Sequence, residues 1–358
     1  MIKNLAKIQK ARQIKTIKKA DKMGGKMQEM QIMGAKALPE WAEQECLLLA
    51  LPHEKTDWKP YLSEILDAYY EFACAVSKYQ KILFIAPNER DFAPFKRIKN
   101  AEFFRCPTND TWVRDYGAID VCEGLRLVSY DFAFNAWGGK FESSLDNSVN
   151  SRLFSGCLSG ELHEIPLILE GGSVDFNGFG AMLTTEKCLL NANRNKNLNK
   201  NELERQLKEL FGLQSIVCLR NGYIKGDDTD SHIDTLARFI GEDSVAISVC
   251  EDESDEHFAP LAAMKKELQS LNFRLVELPL PSAKFYENRR LAATYANFVF
   301  INGAIIVPAY NDEMDKVAYE RLGEALPGRE IVPVRASVFL RQNGSLHCAC
   351  QNRFKGAR

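Results

Sequence analysis

An amphipathic helix, a short break and an apolar strand recur along this chain, and that alternation constrains its fold more than any other feature. Tyr61 to Lys78 predicts a helix leading to a strand from Lys81 to Ile85. The same succession runs from Asn201–Leu210 to Ser215–Leu219, from Ala259–Leu271 to Arg274–Leu278, and from Met314–Leu326 to Ile331–Val334. Helical segments show a 3.6-residue apolar period, whereas the short apolar runs suit buried strands. Paired strands precede some units, as with Phe298–Ile301 and Ala304–Val307 across the Asn302-Gly303 turn. Strand starts at Ser215, Arg274 and Glu330 lie 59 and 56 residues apart. A strand–turn–strand–helix–strand module repeated round an axis satisfies this α/β pattern, although periodicity alone does not count the modules.

A chain of 358 residues has room for two domains. The residues that carry chemistry run from Trp112 to Cys348, so any boundary between would cut through them. The expectation is a basic tail over 1–38 and one domain over 39–358. The tail holds ten Lys or Arg against Asp21 and Glu29, a net of +8, which leaves −10 on the remainder. An acidic body steers cations toward it and argues against nucleic acid as its partner. Ile2, Leu5, Ile8, Ile14 and Ile17 could form a basic amphipathic helix in the tail. The plainer reading is a flexible arm, with Met23, Met27, Met30 or Met33 as later starts. Ten scattered cysteines without a Cys-x-x-Cys suggest a reducing cytoplasm, and Cys46 and Cys250 read as small core residues. The most apolar stretch, Ala296 to Tyr310, is broken by Asn297, Asn302, Gly303 and Pro308 and reads as buried strands, not a membrane span. No phosphate-cradling glycine motif appears, and no cofactor is expected.

Four clusters supply the chemistry: Trp112 to Gly117, Glu170-Gly171-Gly172, His232-Ile233-Asp234 and His347-Cys348. Three carboxylates, an imidazole and a thiol suit a guanidinium group. Its pKa lies above about 12, and removing its proton near neutrality would cost about 8 kcal/mol. Carboxylates bind it as a cation through bidentate forks, and Asp115 and Asp234 are the candidates. The resonance-stabilised carbon needs a strong nucleophile, and a thiolate costs only about 2 kcal/mol to form near neutrality. Cys348 is the candidate nucleophile, His232 the acid–base and Glu170 the group that orients the imidazole. Asp234 and His232, spaced i and i+2, are expected on one face of a strand, and so are Cys348 and Cys350. Glu170 is expected at a strand end, with two glycines allowing close approach. Three carboxylates around Cys348 should keep its thiol protonated until a cation binds. Arg114 is expected to be structural and not catalytic, pinning nearby carboxylates. A zinc site of His232, Asp234, His347 and Cys348 is set aside because no compact ligand spacing appears.

These clusters, with Phe134-Asn135-Ala136-Trp137-Gly138-Gly139 and Asp227 to Asp234, occur in the order found in the agmatine deiminase family, which the chain resembles from about Leu38 to its C-terminus. That family belongs to the peptidylarginine-deiminase-type group of guanidine-modifying enzymes. The resemblance implies a pentein fold and hydrolysis of agmatine to N-carbamoylputrescine and ammonia. It assigns the nucleophile to Cys348, acid–base work to His232 with Glu170, and the guanidinium clamp to Asp115 and Asp234. It ties Asp228 to substrate binding at the far amine, and Trp112 belongs to the same substrate-binding set. Three positions depart from the family pattern: Ala118 stands where proline is usual, Ser231 where glycine is usual, and Gln342 to Leu346 where a glycine-rich turn is usual.

Three other readings share these residues. A deiminase of free or peptidyl arginine would want an added Arg or Lys for the far carboxylate. An amidinotransferase would resolve the thioether with an amine. A catalytically silent binding protein would have no need of the five charged or reactive groups. A homo-oligomer is left open.

Overall fold

The computed structural model describes residues 34–356 except Leu125. The proposed amphipathic tail helix and the candidate later starts lie outside the described residues. Ala35–Ala37, assigned above to the tail, form strand β1 and pair antiparallel with a later strand.

From β1 the chain runs through β2 (Gln44–Ala50), helix α1 (Leu62–Val76), β3 (Lys81–Ala86), β4 (Ala101–Arg105), β5 (Ile119–Glu123) and β6 (Arg126–Ala133). Then follow α2 (Val149–Gly156), β7 (Glu161–Ile168), β8 (Asp175–Phe176), β9 (Ala181–Thr185), α3 (Lys200–Phe211) and β10 (Ser215–Leu219). The last part comprises β11 (Ala237–Phe239), β12 (Ser244–Val249), α4 (Phe258–Ser270), β13 (Arg274–Pro279) and the small hairpin β14–β15 (Phe285–Tyr286, Arg289–Arg290). It ends with β16 (Val299–Ile301), β17 (Ala304–Ala309), α5 (Glu313–Ala325), β18 (Glu330–Arg335) and β19 (Cys350–Phe354).

One pairing rule generates five sheets. A first strand pairs antiparallel with a second, and the second passes through a helix to a third that lies parallel beside it. This holds for β5-β6-β7, β8-β9-β10, β11-β12-β13 and β16-β17-β18. In the fifth sheet the first strand comes from the C-terminus: β19 pairs with β2, and β2 with β3. Helical crossovers are what parallel neighbours require. Five such modules, closed by pairing the late strand β19 with the early strand β2, are the pentein fold.

Each helix sits on its sheet through an apolar face. Phe211 of α3, for instance, meets Tyr130, Phe132 and Phe176, with ring centroids 4.7 Å apart for Phe176. Burying such a side chain stabilises by about 1.5–3 kcal/mol. Helix α3 starts where Asn199 accepts from the Glu202 amide and stops at Gly212, whose φ is +63°. A Cβ at Gly212 would lie 1.7 Å from the carbonyl oxygen of Ala35, so glycine also lets β1 pass. Among the described residues, no helix is long and apolar enough to cross a membrane.

Candidate active site

The first strand of every module is preceded by a short turn or extended segment, and the candidate groups lie in these segments. Asp115 sits in the helical turn Val113–Tyr116 before β5, and Glu170 leads the turn Gly171–Ser173 before β8. His232 and Asp234 belong to a turn before β11, and Cys348 lies two residues before β19. The fifth segment, before β16, contributes Asn297. Topology therefore brings together residues separated by more than two hundred positions.

The thiol of Cys348 is buried. Asn297 Nδ2 lies 3.2 Å from its Sγ, and Asn297 Oδ1 accepts from the His347 amide at 2.9 Å. Asp234 Oδ2 is 3.6 Å from the same sulfur. Asp115 is held from two sides: the Gly172 amide donates to Oδ1 and the Trp137 indole to Oδ2, each at 2.9 Å. The indole reaches it because Ala136 and Trp137 adopt φ of +52° and +55°, a strained region for residues with side chains. His232 places Nδ1 3.5 Å from Asp115 Oδ1 and Nε2 3.9 Å from Glu170 Oε2. A Cβ on Gly172 would lie 2.7 Å from both Asp115 Oδ1 and His232 Nδ1, and 3.1 Å from Asp234 Oδ2. The glycine thus allows close approach of three charged groups.

Behind this layer His347 bridges two acids. Its Nδ1 is 2.7 Å from Asp234 Oδ2 and its Nε2 is 2.7 Å from Glu40 Oε2, so both nitrogens are placed to donate. Glu40 also accepts from Arg238 at 2.7 Å, and Arg238 reaches Asp175 at 3.1 Å. Arg114 donates to Gln351, Asn352 and the His347 carbonyl, and its Nη1 lies 3.8 Å from Glu40. It ties the Asp115 turn to β19, in keeping with its expected structural role. Arg194 donates through Nε to both oxygens of Glu170 at 2.9 Å and through Nη1 to Asp230 at 2.9 Å.

Burial and charge set the protonation states. Burial pushes the Cys348 thiol well above its ordinary range, and Asp234 and Asp115 push it further. Burial lowers the basicity of His232, but Asp115, Cys188 and Glu170 outweigh it and hold the imidazole well above its ordinary value. Burial alone would raise Asp234; His347, His232 and Arg238 bring it below the usual carboxylate range. The free site therefore pairs a neutral thiol with an imidazolium.

A narrow cavity of about 40 Å³ leads outward from Cys348 and Asp115. Trp112, Trp137 and Phe141 line its sides, and Asp57, Asp110 and Asp228 meet at its outer part. Burial, opposed by the Thr111 amide and reinforced by Asp57 and Asp228, pushes Asp110 up to about 6. Burial and Asp227 likewise raise Asp228, whose Oδ2 accepts from Asn343 at 2.7 Å. Trp112 packs on Trp58 with ring centroids 5.6 Å apart.

Local structure departs from the sequence expectation at two places. His232 and Asp234 do not lie on a strand; His232 caps the 3-10 turn Ile233–Thr235, and β11 starts only at Ala237. Cys348 likewise precedes β19 instead of sharing a strand face with Cys350. Turns hold these groups because a paired strand's backbone is committed to its neighbour, whereas the turn can aim polar side chains at the centre. Cys250 is only half-buried, unlike Cys46.

Each departure from the family pattern has a local correlate. The Ala118 amide donates to Asn150 Oδ1 at 2.9 Å, a bond proline cannot make. Ser231 takes φ of +67°, the region that favours glycine. In the turn before Cys348 the one glycine kept is Gly344, where a Cβ would lie 2.5 Å from the Trp112 ring.

Asn297, Glu40, Arg194 and Trp137 were not singled out as site residues from sequence. A polar residue interrupting an apolar run just before a hairpin was the available signal for Asn297. Glu40 and Arg194 carried none, because their partners lie far along the chain.

The five-module fold and its central cluster of thiol, imidazole and carboxylates define a pentein with a charged core. A family model described as Porphyromonas-type peptidyl-arginine deiminase matches residues 36–353, and the chain belongs to that family. Among solved structures, it is 60% identical to a Cys-to-Ser variant of the C. jejuni agmatine deiminase with substrate bound, covering 90% of this chain and 97% of that one with a TM-score of 0.90. It is 25% identical to the agmatine deiminase of Enterococcus faecalis, covering 91% and 97% with a TM-score of 0.83. An amidinotransferase from Microseira wollei shares the fold alone, at 12% identity and a TM-score of 0.51.

Proposed function

We propose that this chain hydrolyses agmatine to N-carbamoylputrescine and ammonia, with residues 39–358 acting as one catalytic unit. The observation that carries the reading is the distribution of acids along one cavity. Asp115 and Asp234 flank the thiol, and Asp57, Asp110 and Asp228 gather at the outer part. Among the described residues, none of these five carboxylates forms an ion pair with Lys or Arg. Two cation sites joined by a narrow passage suit a ligand with a guanidinium at one end and an amine at the other. The α-carboxylate of arginine would instead meet acids. The relatives described as agmatine deiminases support the same substrate.

Asp115 and Asp234 would grip the guanidinium, and Oδ1 of Asp234, which has no hydrogen-bond partner among the described residues, would accept from it. The bound cation offsets the carboxylate field, so the thiol ionises and releases its proton to solvent. The thiolate of Cys348 attacks the central carbon to give a neutral tetrahedral adduct. His232, already an imidazolium, gives a proton to one nitrogen, and ammonia departs to leave a cationic amidino-thioether. The neutral imidazole then takes a proton from water as its oxygen attacks the same carbon. Collapse expels the thiolate and releases the ureido product, and the leaving ammonia takes up the remaining proton. Glu170, fixed by Arg194, orients and charge-stabilises His232 throughout.

The ten unpaired cysteines suit a reducing cytoplasm. The test is a colorimetric assay for ureido product with agmatine, arginine and an arginyl peptide in parallel, and Cys348→Ala as the blank. Turnover of agmatine alone is expected. Turnover of arginine or the peptide would keep the chemistry and overturn the substrate, and silence with all three would overturn both.

A further inference from the structure

Beside the pair of His232 and Glu170 stands a thiol, Cys188, that the hydrolysis does not use. On the Nε2 side of the ring lie Glu170 and Cys188, and one ligand atom from each of the three residues falls within 4.8 Å of the others. Glu170 Oε2 is 3.9 Å from His232 Nε2 and 4.0 Å from Cys188 Sγ. All three side chains are about 1% exposed, and His232 Nε2 is a buried nitrogen without a hydrogen-bond partner among the described residues.

The donor set is selective. One thiol, one imidazole nitrogen and one carboxylate oxygen match the ligands of zinc and related borderline divalent ions. Tetrahedral coordination with bonds of about 2.0–2.3 Å puts ligand atoms roughly 3.3–3.7 Å apart. Glu170 Oε2 would therefore close on each of the other two ligand atoms by only a few tenths of an ångström, and Cys188 Sγ and His232 Nε2 start within 4.8 Å of each other. Glu170 and Cys188, both ionised, would neutralise the dication. The supporting contacts are also those of a built site. Arg194 holds both Glu170 oxygens, and Asp230 balances the Arg194 charge. Thr185 accepts from the Cys188 amide and donates to the Ser231 carbonyl, fixing the thiol's turn to the residue beside His232.

We propose that Glu170, Cys188 and His232 form an inhibitory site for a zinc-class divalent cation. Loading forms a metal–sulfur bond and releases the thiol proton to solvent. The ion then occupies Nε2 of His232 and an oxygen of Glu170. That the loaded enzyme is inactive rests on the role proposed above for His232; that the site binds metal does not.

The test uses the full chain carrying Cys348→Ser, which removes the other thiol near His232, titrated with cobalt(II). A thiolate-to-cobalt charge-transfer band saturating at one equivalent is expected, and it should vanish when Cys188→Ser is added. No band, or a band that survives Cys188→Ser and Cys188→Ala alike, overturns the site. With Cys348 intact, zinc should inhibit reversibly on chelation. Cys188→Ser should raise the half-inhibiting zinc concentration about tenfold or more, relative to that variant's own metal-free rate. Unchanged sensitivity would overturn the inhibitory role. Were agmatine not turned over at all, the cobalt titration would still decide the site.

Discussion

Two neighbouring cavities share a wall in this molecule and treat negative charge in opposite ways. Consecutive residues divide between them: Asp115 and Cys348 line one, Arg114 and His347 the other. In the inner cavity the acids are matched by arginines, with Glu40 and Asp175 on Arg238, and Asp120 on Arg353. In the outer cavity Asp57, Asp110, Asp115 and Asp228 have no such partner among the described residues. A buried acid with an arginine holds the structure; a buried acid without one awaits a cation. Burial alone does not mark the difference, because Asp115 is as buried as Glu40, Asp120 and Asp175. The partner does.

The largest expected effect lies at the shared wall. Cys348→Ala should lower agmatine turnover by roughly 10⁴-fold or more. A variant with more than a tenth of the parent rate would mean the nucleophile lies elsewhere. On the outer side, Asp115→Asn should cost about 10²–10³-fold in kcat/KM, since it removes one edge of a buried charge-assisted fork. It should leave the melting temperature near that of the parent.

On the inner side the signature reverses. Glu40→Gln should destabilise the fold by about 3–5 kcal/mol, because it strips a charge partner from Arg238 and His347. Arg238 and His347 hold the Glu40 carboxyl below its ordinary range against the opposing cost of burial. Its contribution to stability is therefore present above the ordinary carboxylate pKa and lost as pH falls below it. Denaturant unfolding of parent and variant, followed from neutral to acid pH, should converge at the acid end. A gap that stays constant would assign Glu40 a packing role instead.

Smaller effects sharpen the contrast at the far end of the outer cavity. Asp228→Asn should raise KM for agmatine about tenfold with little change in kcat, while stabilising the free protein by about 0.5–1 kcal/mol. A loss of stability there would make Asp228 a structural acid like those of the inner cavity. Because Asp110 sits near 6, kcat/KM for an amine-tailed substrate should decline as pH falls through about 6 and the carboxylate is neutralised. A guanidine without the amine should show no such decline. Iodoacetamide labelling of Cys348 should be slow at neutral pH without substrate and rise only above the ordinary thiol range, its pKa being raised. Rapid labelling near pH 6 would mean the thiol is already ionised.

Legibility in the sequence followed the range of the interactions. The strands beginning at Ser215, Arg274 and Glu330 are where the alternation of helix and apolar run places them, since propensity and burial act over a few residues. Asp115, Glu170, His232 and Asp234 stood out because charged residues are expensive to bury without a purpose, and Cys348 because the chemistry they imply needs a nucleophile. What could not be read was the matching of partners. Glu40 precedes His347 by 307 positions and Asp175 precedes Arg238 by 63, and no local pattern couples them. Asn297 escaped because an apolar run hid it, although it stands in its module where Asp115, Asp234 and Cys348 stand in theirs.

The pairing of β19 with β2 has a bearing on how the protein is made. Cys348 precedes the last strand, and that strand docks beside one near the beginning, with Cys350 opposite Leu49. During synthesis, the residues around the thiol emerge from the ribosome only after four of the five modules have done so. A chain stopped early carries neither the sulfur nor the strand that completes the first sheet. Such fragments would lack the nucleophile and expose the open edge of β2, a template for pairing with other chains.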